Sequence, residues 1–139
     1  MTSLRDIRMG LRTQLETVSD LRAYDVWPPT INPPAAMVRP LGGTFHEDLN
    51  GSVLYQFEIV LLLQLGMQIP AQEQLDAYIA TDGALSILYA LESDPSLGGA
   101  ADSTSVTGWR DVGTMRVGAD ENGNGPEYMG VRFDVEVLA

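Results

Sequence analysis

The longest regular pattern of apolar positions in the chain runs from Val53 to Leu65. Every odd position in this segment is apolar, whereas the even positions mix polar and apolar residues. A period of two with one unbroken apolar face is typical of a β-strand that lies against a core. We therefore predict one long strand at the centre of the fold.

Three other segments carry the period of an α-helix. Residues 4–18 place apolar side chains at steps of three and four, and Ser3 with Asp6 gives the pattern of a capping box ahead of them. A second helix is predicted to begin at Ile69-Pro70, because proline is tolerated in the first turn of a helix. A third carries leucines at positions 85, 88 and 91. The pattern therefore indicates an N-terminal helix and a central helix pair.

A proline-rich segment separates two short strand candidates, Leu21–Trp27 and Ala35–Arg39. Four prolines within seven residues exclude a helix or a paired central strand, so an extended crossing segment is predicted there. Pro40 is expected to end the second strand. Leu41–Ser52 is expected to form a mobile loop, because it is rich in glycine and polar residues.

The carboxyl-terminal part of the chain predicts further strands. Thr104–Val117 has strand character with an interruption near Asp111–Gly113, and Met129–Val137 alternates apolar with polar residues as in an antiparallel sheet. Helical and strand segments do not alternate regularly along the 139 residues. We therefore predict a single α+β domain, residues 1–139, in which an antiparallel or mixed sheet is built around the long strand and packed against the three helices.

The charge of the chain narrows the classes of function. Nineteen acidic residues against eight basic ones, all arginine, give a net charge of −11. Such a chain is poorly suited to wrapping nucleic acid, which relies on clustered basic residues. Arg5, Arg8 and Arg12 share a helix face, but their spacing favours a solvated face on which Arg12 pairs with Glu16. Solubility, repulsion between copies and basic partners are expected instead.

Targeting and membrane signals are weak in this sequence. It contains no cysteine, and its first residues show no hydrophobic block of the secretory kind. The long apolar segment is too short for a membrane-spanning helix and carries Glu58. We expect synthesis in the cytosol and no membrane partner.

One motif is similar to a metal site. Asp120, Asn122 and Asn124 occupy the first, third and fifth positions of a calcium-loop pattern. The twelfth position, which should supply a bidentate glutamate, is Val131, and predicted strands rather than helices flank the motif. A turn at the tip of a hairpin is therefore favoured, and we expect no cofactor. A calcium-binding module is the alternative from a different class.

Catalytic motifs are scarce. His46 has Glu47 and Asp48 beside it, but the chain lacks the further histidines or cysteines of a zinc site. The sequence also contains neither a nucleophile elbow nor a phosphate-binding glycine loop. These features indicate a structural or binding protein rather than an enzyme, with a small hydrolase built around His46 as a further alternative.

The order of segments carries a family resemblance. It is spread over the opening helix LRDIRMGLRTQLETV, the segment LRAYDVWPPTINPPAAMVRP, the strand YQFEIVLLL, the helical segments AQEQLDAYIA and ALSILYALESDPSLGG, and the closing strand GVRFDVEVLA. This layout resembles the tail terminator (tail completion) proteins of long non-contractile-tailed bacteriophages, particularly minor tail proteins of actinobacterial phages. None of these segments is a catalytic motif.

The resemblance implies an α+β subunit of a hexameric ring in the virion. Such a ring lies on the head-proximal end of the tail tube, ends tube polymerisation and presents a surface to the head-completion (neck) proteins. The implied partners are other copies of the chain, the tube protein and the neck protein. DNA passes through the lumen without specific binding, and an acidic lining would keep it from adhering.

The segments around the two predicted loops are the candidates for contacts with the neighbouring subunit, the tube or the neck. The candidate residues are Thr44, Phe45, His46, Glu47, Asp48, Val53, Tyr55, Asp120, Glu121 and Asn122. Another neck component, such as a head-completion or stopper protein, and a tail tube subunit are the closest alternatives, because a fold does not determine a position in an assembly.

Overall fold

A computed structural model of the chain describes residues 3–26, 28, 30–47, 49, 51–65, 68–116 and 126–139, with the backbone alone at 68–71. In chain order the elements are α1 (Leu4–Leu15), β1 (Arg22–Tyr24), β2 (Ala35–Thr44), β3 (Leu54–Gln64), α2 (Gln68–Ile79), α3 (Ile87–Glu92), the short 3₁₀ helix η1 (Leu97–Gly99), β4 (Ser103–Arg116) and β5 (Glu127–Leu138). The strands form one sheet in the order β1-β2-β3-β5-β4. β1 pairs with β2 in parallel, and the other neighbours are antiparallel. The predicted α+β class is confirmed.

The long strand is the centre of the sheet. β3 pairs with β2 on one side and with β5 on the other, and the prediction of a strand at Val53–Leu65 is confirmed to within one residue at each end. Its odd-numbered side chains from Phe57 to Leu63 join the main core, while Val60 and Leu62 belong to a smaller cluster on the other face. Both faces of the strand are therefore buried over residues 57–63.

The helices cover one face of the sheet. α1 begins where the capping box predicts: the Ser3 hydroxyl accepts a hydrogen bond from the Asp6 amide (3.1 Å), and the Asp6 carboxylate accepts one from the Ser3 amide (3.2 Å). The backbone hydrogen bond from Ser3, and then that from its side chain, lower the pKa of Asp6 below its ordinary value. Side chains of all three helices enter the main core, among them Ile7, Leu11, Leu75, Tyr78, Ile87 and Leu91.

The second face of the sheet has a different cover. Tyr24 and Ile31, which come from β1 and the proline-rich crossing segment, pack against the smaller cluster. Met115, near the end of β4, and Tyr128, near the start of β5, also pack against this cluster. Burial of this face is therefore provided by the crossing segment and the sheet's own outer strands.

Two boundaries differ from the prediction. β2 continues through Pro40 to Thr44, so the expected end at Pro40 is wrong and part of the expected loop is strand. Pro40 is tolerated because β1 pairs only with Ala35–Met37, which leaves the outer edge of β2 free at that point. A register shift between Pro40 and Gly42 absorbs one residue as a bulge. α3 begins only at Ile87, after Ser86, whose hydroxyl caps the helix at the Tyr89 amide (3.1 Å).

The fourth strand has an irregularity, rather than a break, at the place where the sequence predicts an interruption. β4 is continuous from Ser103 to Arg116, but its register against β5 shifts between Arg110 and Gly113. Asp111 and Gly113 both have positive φ, 58° and 148°. A bulge at this place bends the outer strand of the sheet.

We expect Gly130→Ala to lower the free energy of unfolding by about 1–3 kcal/mol, the usual cost of forcing an extra group into a packed interior. A Cβ at Gly130 would lie 2.8 Å from the Leu61 carbonyl oxygen and 2.9 Å from the Met115 sulfur. The Leu61 carbonyl belongs to the central strand, so it cannot move away without disturbing the sheet.

Gly108→Ala is the matched control, because a Cβ at that position of β4 has no atom within 4 Å. Its stability should stay within about 0.5 kcal/mol of the wild type. Urea denaturation of both variants measures the difference. Equal stability of the two variants would contradict the close packing at Gly130.

Candidate functional site

The candidate contact surface is the end of the β2–β3 hairpin, here called the hairpin tip, of which residues 41–47, 49 and 51–53 are described. The tip is anchored at its base by mutual backbone hydrogen bonds between Val53 and Ala139 (2.8 and 3.0 Å). Within it, the Glu47 amide donates to the Ser52 carbonyl (2.9 Å). The described part of the tip therefore extends two sheet strands, and one backbone hydrogen bond joins its two sides.

The hairpin tip exposes apolar side chains that do not pack against the protein's own core. Phe45 is 77% exposed, Leu49 is fully exposed and Leu41 is about half exposed. Single exposed apolar residues are common, but a group of them on one projection marks a site of contact with another surface. His46, between them, has a φ of 57°, in the left-handed region that costs a residue with a side chain roughly 1–2 kcal/mol.

The structure brings some of the predicted contact residues together. Thr44, Phe45, His46 and Glu47 are consecutive exposed residues of the hairpin tip. Val53 is half-buried at the base, and Tyr55 packs against the core with its ring centroid 6.4 Å from that of Phe57. Five candidates lie outside the described residues: Asp48, Asp120, Glu121, Asn122 and Asn124. The calcium-loop motif therefore stays a hypothesis from the sequence.

Sequence reasoning missed a charge network centred on Glu58 of β3. The Glu58 side chain is 2% exposed, and its carboxylate contacts three guanidinium groups: Arg110 at 2.6 Å, Arg132 at 3.1 Å and Arg39 at 3.4 Å. Burial of a carboxylate costs several kcal/mol unless opposite charge and hydrogen bonds compensate. The three arginines supply that compensation from the strands on either side.

The network extends beyond Glu58 into the outer strand. Arg110 also contacts Asp134 (3.2 Å) and Asp111 (2.7 Å), and the hydrogen bond to Asp134 is the main cause of the raised pKa of Arg110. The network includes residues of β2, β3, β5 and β4, so it connects four strands. It contains three arginines and three carboxylates. Because these charges balance, the network ties strands together rather than offering net charge to a ligand.

A signal for this network exists in the sequence, but it is incomplete without the sheet register. Glu58 is a lone carboxylate in a strongly apolar strand, which is unusual for a position buried on both sides. Only the pairing of Glu58 with Arg39 on one side and with Asp134 on the other shows which charges meet. Asp134 is half-buried and accepts a hydrogen bond from Arg110.

The outer edge of β4 is covered over only part of its length. Near its start, the Glu92 carboxylate of α3 accepts a hydrogen bond from the Val106 amide (3.0 Å), and the Thr104 hydroxyl donates to the Pro95 carbonyl (2.9 Å). From Thr107 to Arg116 no strand within the described ranges pairs with this edge. Trp109 is 55% exposed there. Charged residues and bulges on this stretch are the usual protection of an edge strand.

A groove of about 740 Å³ lies between α1 and α3, on the helix layer. Its lining includes Val18, Ser86, Tyr89 and Ala90, and the only acidic residue in it is Asp82. His46 lies on the hairpin tip and is not part of this groove. In the described portion of the chain, no three aspartate, glutamate or histidine side chains gather as a metal site would require.

Comparisons with known proteins do not identify a family. No protein-family model matches the sequence, and a search of curated proteins finds no match. Of the helices that the structure describes, none has the length and apolar character needed to cross a membrane. The resemblance to tail terminators therefore stays a prediction from the sequence.

We expect Glu58→Gln to lower the free energy of unfolding by about 2–4 kcal/mol, because it leaves three arginines without their shared charge. The substitution keeps the size of the side chain, so packing changes little. Arg39→Met is the matched control: its guanidinium is 57% exposed and only 3.4 Å from Glu58, so its loss should cost less than about 1 kcal/mol. Urea denaturation compares the two. A Glu58→Gln variant as stable as wild type would contradict a stabilising network.

Proposed function

We propose that this protein is a structural component of a bacteriophage tail, a terminator that forms a ring, hexameric by the family resemblance, on the head-proximal end of the tail tube. The ring ends tube polymerisation and provides the joint to the neck. The observation that carries this proposal is the hairpin tip, which projects from the sheet and exposes Phe45 and Leu49. A subunit needs such a surface to meet a partner, whereas a monomer gains nothing from it.

The fold supports the same function. The mixed sheet with helices on one face agrees with the α+β subunit that the resemblance implies. Among the described residues, no strand pairs with the outer edge of β4 beyond Val106 or with the outer edge of β2 beyond Met37. Open edges are available for contacts with the next subunit or the tube.

The charge of the chain suits a conduit for DNA. A net charge of −11 repels phosphate, so DNA can slide through a ring of such subunits without adhering. In this proposal the arginines of α1 lie away from the lumen. An inner surface dominated by Arg5, Arg8 and Arg12 would contradict that part of it.

A tail tube subunit or another neck component is the second candidate. The open edge of β4, with Trp109 exposed on it, would equally serve lateral contacts in a polymerising tube. Position distinguishes the candidates: a terminator binds one end of a finished tube, a tube subunit incorporates along its length, and a stopper binds the neck without ending polymerisation.

Tube polymerisation tests the function. We expect tail tube protein of the same phage to form shorter tubes in the presence of the chain, because a bound ring blocks further addition. Phe45→Ser/Leu49→Ser should fold normally, since both side chains are exposed, and should lose most of this effect. Electron microscopy measures the length distribution, and thermal melting verifies the fold.

Val26→Ser is the control for the loss of exposed apolar surface, because Val26 is 54% exposed and follows β1, outside the β2–β3 hairpin. It should shorten tubes as wild type does. Wild-type protein that leaves tube length unchanged and never binds a tube end would contradict the proposed function.

A calcium-binding module makes a different prediction. Calcium that binds only the native state must raise the melting temperature. We expect the same melting temperature in calcium and in chelator, because Val131 stands where the motif needs a bidentate glutamate. A clear rise in calcium that is lost in Asp120→Ala would favour the alternative.

A further inference from the structure

We propose that the hairpin tip of one copy docks on the amino-terminal half of α1 of a second copy. This would be the contact between neighbouring subunits of the proposed ring. Only the closure of the contact into a ring rests on the proposed function. The tip supplies two apolar side chains, Phe45 and Leu49, with the exposed carboxylate of Glu47 between them in the chain. Its partner surface should therefore be apolar and basic.

The amino-terminal half of α1 has this chemistry. Leu4 and Met9 are 38% and 42% exposed, and Arg5 and Arg8 lie beside them on the same helix. Five of the eight arginines form ion pairs with carboxylates: Arg12, Arg39, Arg110, Arg116 and Arg132. Arg5 and Arg8 form none with any described residue, and the Arg8 Nε is buried without a hydrogen-bond partner. An incoming carboxylate would meet two guanidinium groups not yet paired.

Local electrostatics favour the acidic tip here. Asp6, which accepts a hydrogen bond from the Ser3 amide in the capping box, carries one negative charge here, and Arg5 is among the causes of its lowered pKa. Together with Asp6, the two arginines therefore leave a local net charge of +1. The positive end of the α1 dipole adds to the charge of Arg5 and Arg8. Two copies with a net charge of −11 repel each other in general. A contact that brings opposite charges together is therefore the orientation in which they can associate.

The shape of the surface also fits. A depression of about 240 Å³ lies next to Met9, between α1 and η1, with Gly10 and Leu97 in its lining. Gly10 permits this close approach, because a Cβ there would lie only 2.8 Å from the Leu97 Cβ. The depression has room for one large apolar side chain such as that of Phe45.

The two surfaces lie at the same end of the sheet. Leu97 packs against Gly10 of α1, and it follows Pro95, whose carbonyl binds Thr104 at the start of β4. Thr104 is in register with Val137, and Val137 with Tyr55 beside the hairpin tip. In a ring, one subunit is related to the next by rotation about the ring axis, so equivalent positions of all subunits lie at the same height along that axis. Two surfaces at one end can therefore meet in a ring whose axis follows the strands.

The contact joins two different surfaces, so each copy can donate a tip and accept one. Such a head-to-tail contact closes into a ring when the rotation between copies divides a full turn, and otherwise forms a filament. The arrangement thus supplies an assembly contact of the kind that the proposed ring needs.

A charge swap tests the contact. Glu47→Arg, and separately Arg5→Glu/Arg8→Glu, should each lower the self-association constant by roughly tenfold or more, because attraction becomes repulsion. The combined variant Glu47→Arg/Arg5→Glu/Arg8→Glu should regain association, although its net charge is more negative than that of wild type. Sedimentation velocity over a concentration series measures each constant. Glu73→Arg makes the same change of charge as Glu47→Arg on exposed α2 surface, and should not weaken association.

A cross-link provides a second measurement that does not depend on charge. The chain has no cysteine, so single cysteines can be placed without background. Copies with Leu49→Cys, mixed with copies carrying Met9→Cys and oxidised, should form a disulfide-linked pair. Leu49→Cys mixed with Tyr89→Cys, which is exposed on α3, should not.

The outcomes separate this contact from the proposed function. Failure of the swapped variant to recover, or a wild type that remains monomeric and forms no cross-link, overturns the contact. If tip variants lose tube shortening while charge reversal leaves self-association unchanged, the tip binds the tube and the contact is overturned while the function stands. If wild-type copies associate and the combined charge-swap variant regains association, but the protein never binds tube ends, the contact is supported and the proposed function is contradicted.

Discussion

The structure depends on one constraint: β3 is paired on both edges and buried on both faces, yet it carries a carboxylate at its centre. The apolar side chains of residues 57–63 account for both clusters of the core. Glu58 is compatible with this position only because arginines from β2, β4 and β5 reach it. The same register that aligns the apolar rows also brings these charges together. Slippage by one residue would exchange the side chains between the two faces, and so would separate Glu58 from its arginines.

This constraint divides the molecule into a core and a projection. The interior is filled by β3 from Phe57 to its carboxyl-terminal end, by the strand residues that pair with it, by the helices and by the crossing segment. On the amino-terminal side of Phe57, β3 continues with β2 as a hairpin. The tip of this hairpin exposes Phe45 and Leu49 to solvent. Because the core is complete without the tip, the tip is free to contact another surface. The proposed ring and the proposed contact with α1 both depend on this separation of a complete core from an exposed tip.

Local patterns in the sequence predicted the parts of the fold that local chemistry determines. The alternation of β3 and the capping box of Ser3 and Asp6 appear in the structure, and the predicted interruption near Asp111 appears as a register shift within a continuous strand. The end of β2 was not predictable from Pro40 alone, because that proline is tolerated only where β1 has already ended. The Glu58 network required the sheet register, which no local pattern supplies.

The candidate site was predictable in part for the same reason. Composition indicated a polar loop after Pro40, and Thr44 to Glu47 are consecutive and exposed in the structure. Their role as contact residues stays a prediction. That Phe45 and Leu49 point away from the core depends on how far the hairpin extends beyond the sheet. The unpaired arginines of α1 became visible only when the partners of the other arginines were known.

The most direct measurement is a count of subunits on tube ends. Tail tubes incubated with the chain and viewed end-on by electron microscopy, together with native mass spectrometry of the released assembly, give both position and number. The account predicts a closed ring of six copies at one end of each tube. A protein that remains monomeric with tubes present and leaves both ends bare would contradict it.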